Sequence, residues 1–139
     1  MESFEQFVAV ALEAEALVVS EAVKFPVARQ TRKVTAEIQE HGYEVDFIGA
    51  RSDRLILASV KSYFGSDGVH FGHLTGGAGT LDQRRRYLLF NDAEIQEAVV
   101  TAAAKRYGYS LSQVRLRLYV GRFYGKKPPH EPLIREWAA

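Results

Sequence analysis

Two short stretches carry residue types that can do chemistry together. Glu44-Val45-Asp46 places two carboxylates two residues apart, and Ser59-Val60-Lys61 ends on a lysine. Both stretches alternate as strands do, and alternate side chains of a strand share a face. Glu44, Asp46 and Ile48 are therefore expected on one side of the first strand, with Tyr43, Val45 and Phe47 on the other. Leu57, Ser59 and Lys61 share a face of the second. Pairing these strands brings a carboxylate near an ammonium group. Magnesium takes hard oxygen ligands and keeps several waters, so one or two carboxylates plus a substrate phosphate suffice to hold it. The lysine would orient the attacking water and stabilise the charge that develops on phosphorus. This is the chemistry of phosphodiester hydrolysis. The alternative is structural: Asp46 satisfies strand-end hydrogen bonds and Lys61 is a solvated strand residue.

Other residues suggest other chemistry. His70 and His73 stand three apart in a stretch, 65–80, that holds six of the eleven glycines, and His41 precedes the Glu44 strand. A transition-metal site would need a third ligand, and the chain has no cysteine to supply one. The glycines would let backbone N–H groups approach phosphates, but no Gly-Lys-Ser/Thr follows, so this is not a P-loop. No serine has a nucleophile-elbow context.

The elements that must position these groups are legible in outline. Ser3 and Gln6 have capping-box spacing, and Phe4, Phe7, Val8, Ala11 and Val18 recur as on a helix over 4–19. Glu15 falls inside that apolar stripe, where a carboxylate costs free energy unless something pairs with it. Residues 22–29 contain Pro26 and read as an edge strand. The stretch 30–40 reads as a loop or an extended lead-in. Strands follow at 43–48 and 55–61, joined by the turn Arg51-Ser52-Asp53-Arg54 into an antiparallel hairpin. Asn91 and Glu94 cap a helix over 92–106, with Gly108 as its C-terminal glycine. Residues 114–120 alternate as a strand, with Arg115 and Arg117 on one face, and Pro128-Pro129 precede a short helix over 131–137. The order is that of an α/β fold.

Composition narrows the class. The 139 residues fit one domain spanning 1–139, and 47% hydrophobic with 25% charged residues is an ordinary globular balance. Thiol catalysis and cysteine-rich zinc sites are excluded. No apolar run approaches the roughly 18–20 residues that cross a bilayer, and the N-terminus lacks a signal-peptide pattern. A cytoplasmic protein without a membrane partner is the expectation. The net charge is +1 but unevenly spread: residues 1–22 hold five glutamates and no Lys or Arg. Basic residues gather at Arg84-Arg85-Arg86, Arg115, Arg117 and Lys126-Lys127, as phosphate contacts would. Such contacts bind in a salt-sensitive way with little sequence preference. Tyr63, Phe64, Tyr119, Phe123 and Tyr124 lie near them, to stack on bases or to fill the core.

A helix with an inward Glu15, then strands bearing Asp46 and Ser59-Val60-Lys61, resembles the PD-(D/E)XK nuclease superfamily of restriction endonucleases, Holliday-junction resolvases and RecB-type nucleases. The resemblance covers about residues 4–65 and implies a restriction-endonuclease-like αβββαβ core, a mixed central sheet flanked by helices. It implies a nuclease hydrolysing DNA, with Asp46 and Lys61 at the motif's aspartate and lysine. Asp46, with Glu44 or Glu15, would then hold Mg²⁺ or Mn²⁺. Gln83 and Tyr87 fit the Q-x-x-x-Y pattern of RecB-type members, and resolvase-like members imply a homodimer. The sequence departs from the pattern at the second acidic position, which is Ser59, and no proline precedes Asp46. Glu44 or Glu15 would supply the missing charge, or the chain is a catalytically inactive nucleic-acid-binding or assembly module on the same fold. A protein-interaction domain without a nucleic-acid role is the third reading.

Overall fold

The computed structural model describes residues 3–27, 42–63, 67–125 and 130–139. Lys126, Lys127, Phe64, His41 and the 30–40 stretch lie outside them. Helix α1 spans Ser3–Ala14, followed by strands β1 (Val18–Phe25), β2 (Tyr43–Arg51) and β3 (Arg54–Lys61). Three short helices come next, α2 (Phe71–Thr75), α3 (Leu81–Arg85) and α4 (Leu88–Asn91), then the long α5 (Ala93–Tyr107). A 3₁₀ turn at Leu111–Gln113 leads into β4 (Val114–Val120), and α6 (Glu131–Ala138) follows. The strands form one mixed sheet in the order β1-β2-β3-β4, with β1–β2–β3 antiparallel and β4 parallel to β3. A parallel neighbour needs a crossover connection, and α2 to α5 supply it. The fold is α/β, a four-stranded mixed sheet flanked by helices.

α1 covers one face, where Val8, Leu12, Leu17, Phe47, Ile56 and Ala58 pack together. α5 and α4 cover the other, packing Ile95, Val99 and Leu89 onto Phe25, Val45, Ile48, Leu55 and Leu57. A third cluster of Val69, Leu74, Tyr87 and Ile134 joins α2, the segment after α3 and α6.

The expected alternation in β2 fails at its middle. Val45 and Ile48 pack on the α5 side, whereas Phe47 packs on the α1 side. β1 changes face in step, with Val19 packed towards α1 and Val23 towards α5. The cause is local: the β1–β2 ladder skips Ala22, opposite Asp46, and Ala22 has φ 54°, which breaks the period of two.

Three helix and strand limits also differ from the sequence reading. α1 stops at Ala14, because Glu15 and Ala16 turn back onto Leu12 and Glu13 and Ala16 takes φ 63°. Its buried stripe is Val8 and Leu12, leaving Phe7 73% exposed. β1 accordingly starts at Val18, four residues before the expected strand. The N-cap of α5 is Asp92, which accepts from the N–H groups of Glu94 and Ile95. Asn91 instead closes α4, its side chain donating to the carbonyls of His73 and Arg84. Gly108 is left-handed at φ 79° and donates to the Ala104 carbonyl, as a C-terminal glycine does.

Candidate functional site

Asp46 sits where the β sheet changes face. The β2–β3 pairing runs from Arg51↔Arg54 to Phe47↔Ala58. Beyond it the Val60 N–H donates to Asp46 Oδ2 at 2.7 Å, so the carboxylate stands in for a ladder carbonyl. That satisfies a strand-end donor and fixes the side chain beside β3.

Lys61 ends the parallel ladder opposite Val120, and its backbone carbonyl accepts from the Gly121 N–H at 2.8 Å. Its side chain is half-buried, with Nζ 5.6 Å from the centre of the Tyr87 ring. Burial pushes the ammonium below lysine's ordinary value; the Asp46 carboxylate offsets part of that, and the Arg86 charge adds to it. Tyr87 is buried and hydrogen-bonded to Tyr63, and burial drives its hydroxyl pKa well up. Lys61 thus rests on a tyrosine floor, with one anion, Asp46, and one cation, Arg86, acting on it.

Ser59 is 4% exposed. Its hydroxyl is hydrogen-bonded to Tyr43, which is also bonded to the backbone of Leu89. Burial raises the Tyr43 hydroxyl pKa, and the Asp46 charge raises it further. Asp46, Ser59 and Lys61 are therefore gathered around Tyr43 and Tyr87. Glu44, two residues along β2, is exposed.

Glu15 lies elsewhere, on the α1 side of the sheet. Arg117 grips its carboxylate with both amino groups, Nη1 to Oε2 at 2.6 Å and Nη2 to Oε1 at 3.3 Å. Arg54 adds a contact at 3.2 Å, and Arg51 donates to the Glu15 carbonyl at 2.9 Å. The Arg117 hydrogen bond holds the carboxyl below its ordinary value, with Arg54 and Arg51 helping against the opposing effect of burial. The inward glutamate expected from the apolar stripe is thus paired by arginines. Arg51 and Arg54 face each other across the hairpin, and Asp53 and Glu15 divide their charge.

The structure splits the candidate phosphate contacts. Arg86, at the end of α3, acts on Lys61, Tyr87 and His73. Arg84 bonds its own turn at Thr80, and Arg85 lies 4.0 Å from Asp82. Arg115 donates to the Ser112 and Val114 carbonyls, and Arg117 is committed to Glu15. Of the Q-x-x-x-Y pair, Tyr87 lies under Lys61, whereas Gln83 forms the capping box of α3 with Thr80. A groove of about 690 Å³ is separate: Tyr119, Phe123, Trp137, Arg117 and Arg135 line it between β4 and α6.

A hard divalent cation at this site would have Asp46 as its carboxylate, since Glu15 is engaged by arginines. Glu44 alternates with Tyr43 and Val45, which pack on the α5 side, and so lies on the other face of β2, not beside Asp46 as the sequence reading expects. Among the described residues, no three His, Cys, Asp or Glu side chains gather to hold a metal ion. His70 and His73 do meet, but by stacking, and His70 Nδ1 accepts from the Gly72 N–H. That lone pair is then taken and Nε2 carries the proton, which leaves no nitrogen of His70 for a metal. No described helix is long and apolar enough to cross a membrane.

No protein-family model matches the chain, and no curated protein matches it. Sequence reasoning passed over Tyr43, Arg51, Arg54 and His130. Arg54 had a signal: two arginines facing each other across a two-residue turn require anions nearby. His130 had none, because only the fold brings it beside His70.

Proposed function

We propose that the chain is a restriction-endonuclease-like nuclease that hydrolyses phosphodiester bonds in DNA, with Asp46 and Lys61 at its centre. The observation that carries this reading is Lys61, held half-buried over Tyr87 with Asp46 as its acidic neighbour. A partly desolvated ammonium is a demand for negative charge, and a backbone phosphate supplies it. Asp46, together with the substrate phosphate, would hold Mg²⁺ or Mn²⁺, which when bound supplies an activated water and neutralises phosphate charge. Lys61 would orient that water and stabilise the charge growing on the phosphate oxygens, and Arg86 would add to the attraction for the backbone.

The test is cleavage of single-stranded, duplex and four-way-junction DNA with Mg²⁺, Mn²⁺ or EDTA. Asp46→Asn keeps an acceptor for the Val60 N–H while removing the charge, and Lys61→Met keeps the stem without the ammonium. Cleavage that needs metal and is lost in both variants supports the reading. Equal cleavage by both variants overturns it.

A second reading is favoured by Ser59, which is buried against Tyr43 where the nuclease pattern has an acid. On that reading the chain is an inactive nucleic-acid-binding or assembly module. It predicts binding that weakens steeply with salt, no metal requirement and no products. Sedimentation separately tests the homodimer that the resemblance implies.

A further inference from the structure

Three of the four histidines, far apart in sequence, meet in one stack. His70, the N-cap of α2, lies 4.2 Å from His73 between ring centres at an interplanar angle of 15°. His130, the N-cap of α6, meets His70 edge-on at 4.4 Å. Tyr124 packs against both, at 4.7 Å from His70 and 4.9 Å from His130. Gly79, left-handed at φ 93°, leaves the space that His73 fills; a Cβ there would lie 2.3 Å from the ring.

Two backbone bonds depend on this stack being uncharged. The Gly72 N–H donates to His70 Nδ1 at 3.1 Å, and the Phe71 N–H donates to His130 Nδ1 at 3.0 Å. A nitrogen that accepts carries no proton, so both rings are neutral with the proton on Nε2. The second bond ties α2 directly to the start of α6. Among the described residues, the charges acting on His70 and His73 offer an imidazolium no support. His73 and His130 act on His70, while Arg86 from the end of α3 and His130 act on His73. Gln83 Oε1 is held by the Thr80 N–H at 2.8 Å and carries no charge. Glu131, next to His130, is paired with Arg135 at 3.4 Å.

We infer that the stack is an acid-sensitive latch holding α6 against α2. Protonation of His70 turns its Nδ1 from acceptor into donor, so the Gly72 bond breaks and a positive charge stands at ring-contact distance from His73 and from the His130 ring that holds the Phe71 N–H. Ile134 then leaves the cluster it shares with Val69, Leu74 and Tyr87. Burial already pushes His70 and His73 below the ordinary histidine value, with the neighbouring positive groups adding to it. The latch is therefore fully closed above the ordinary value and is lost as pH falls through the lower folded values. Tyr87 is the floor of Lys61, so opening alters that site as well; this last step rests on the function proposed above, and the latch itself does not.

Trp137, the chain's one tryptophan, is on α6 and reports its docking. Its fluorescence, followed from about pH 8 to about pH 5, should change in one transition with a midpoint below the ordinary value of about 6.5. More than one proton should be taken up. His70→Asn combined with His130→Asn puts an amide oxygen in place of each Nδ1 acceptor and cannot titrate. The transition should vanish there, with the circular dichroism unchanged, and should persist in the control His41→Gln. His73→Gln serves as well: removing one basic neighbour should move the midpoint up and make the transition shallower. No transition in the natural chain, the same transition in the double variant, or an unmoved one in His73→Gln overturns the latch.

Discussion

Two charge clusters sit on opposite sides of the same sheet, and they treat a buried charge differently. At the end of α1, Glu15 is met by a bidentate Arg117, by Arg54 and, through its carbonyl, by Arg51. Its charge is answered several times over, and its affinity for a proton falls below the ordinary value. At the end of β3, Lys61 is half-buried over Tyr87 with Asp46 as its acidic neighbour and Arg86 working against it. There the charge is under-answered, and the lysine's hold on its proton weakens. A group so saturated has nothing left to offer a ligand and serves the fold, although Arg54 Nε in the same cluster is buried without a hydrogen-bond partner. An unsaturated one stores an electrostatic demand that a ligand can meet.

The largest effect should come from adding charge to the unsaturated side. Ser59→Asp puts a carboxylate where the nuclease pattern of the proposed function would have its second acid, but in a 4% exposed site against Tyr43 and within the field of Asp46. Buried there, with Lys61 two residues along already answered in part by Asp46, it should cost about 3 kcal/mol in urea unfolding. A loss below about 1 kcal/mol would mean that the site has room and charge for a second acid, and would move the comparison towards a complete metal site.

Glu15→Gln should cost less, about 1–2 kcal/mol, because the cluster is about one-third exposed and water screens it. Its pH dependence is the sharper signature. The depressed carboxyl contributes stability that is complete above its ordinary value of 4.5 and lost as pH falls through its lower folded value. Natural and variant chains should therefore differ at neutral pH and converge on acidification. A constant gap across that range would show that the loss is one of packing rather than charge.

How much of this was legible depends on range. The hairpin could be read because its two-residue turn and the alternation of β3 are local, and β4 because its period is clean. Asp46 and Lys61 fall on paired strands for the same reason. The face change at Ala22 could not be read, since a non-glycine residue at positive φ leaves no mark on the hydrophobic pattern. Glu15 was correctly singled out as a carboxylate needing a partner, but the identity of Arg117 is set by a parallel crossover, 102 residues along the chain. α1 was read too long because Val18 continues the helical spacing while belonging to β1. His70 and His130 meet only once α6 docks.

Tyr43→Phe probes the neutral part of the Lys61 side. It removes the hydroxyl bonded to Ser59 and to the Leu89 backbone, leaving a buried serine to find another partner. The expected loss is about 1 kcal/mol. A neutral result would show that Ser59 has a second acceptor, and the hydroxyl would then be free to face a ligand.

The smallest effect on stability should accompany the largest on function. Lys61→Met keeps the stem over Tyr87 and removes a charge that burial opposes. Because the folded value lies below the ordinary lysine value, the unfolded chain holds this proton more tightly and Lys61 works against folding at neutral pH. The natural chain should recover that loss as pH rises through the folded value towards 10.5. The variant should be as stable as the natural chain or more stable by up to about 1 kcal/mol, with the gain shrinking in alkali. On the function proposed, any cleavage or binding of DNA should be lost with the ammonium, since among the described residues Lys61 is the half-buried cation on which Asp46 acts. If Lys61→Met is instead clearly less stable, the ammonium is already satisfied as Glu15 is. The two clusters would then be the same kind of thing, and the case for a site at Lys61 would fall with the contrast that supports it.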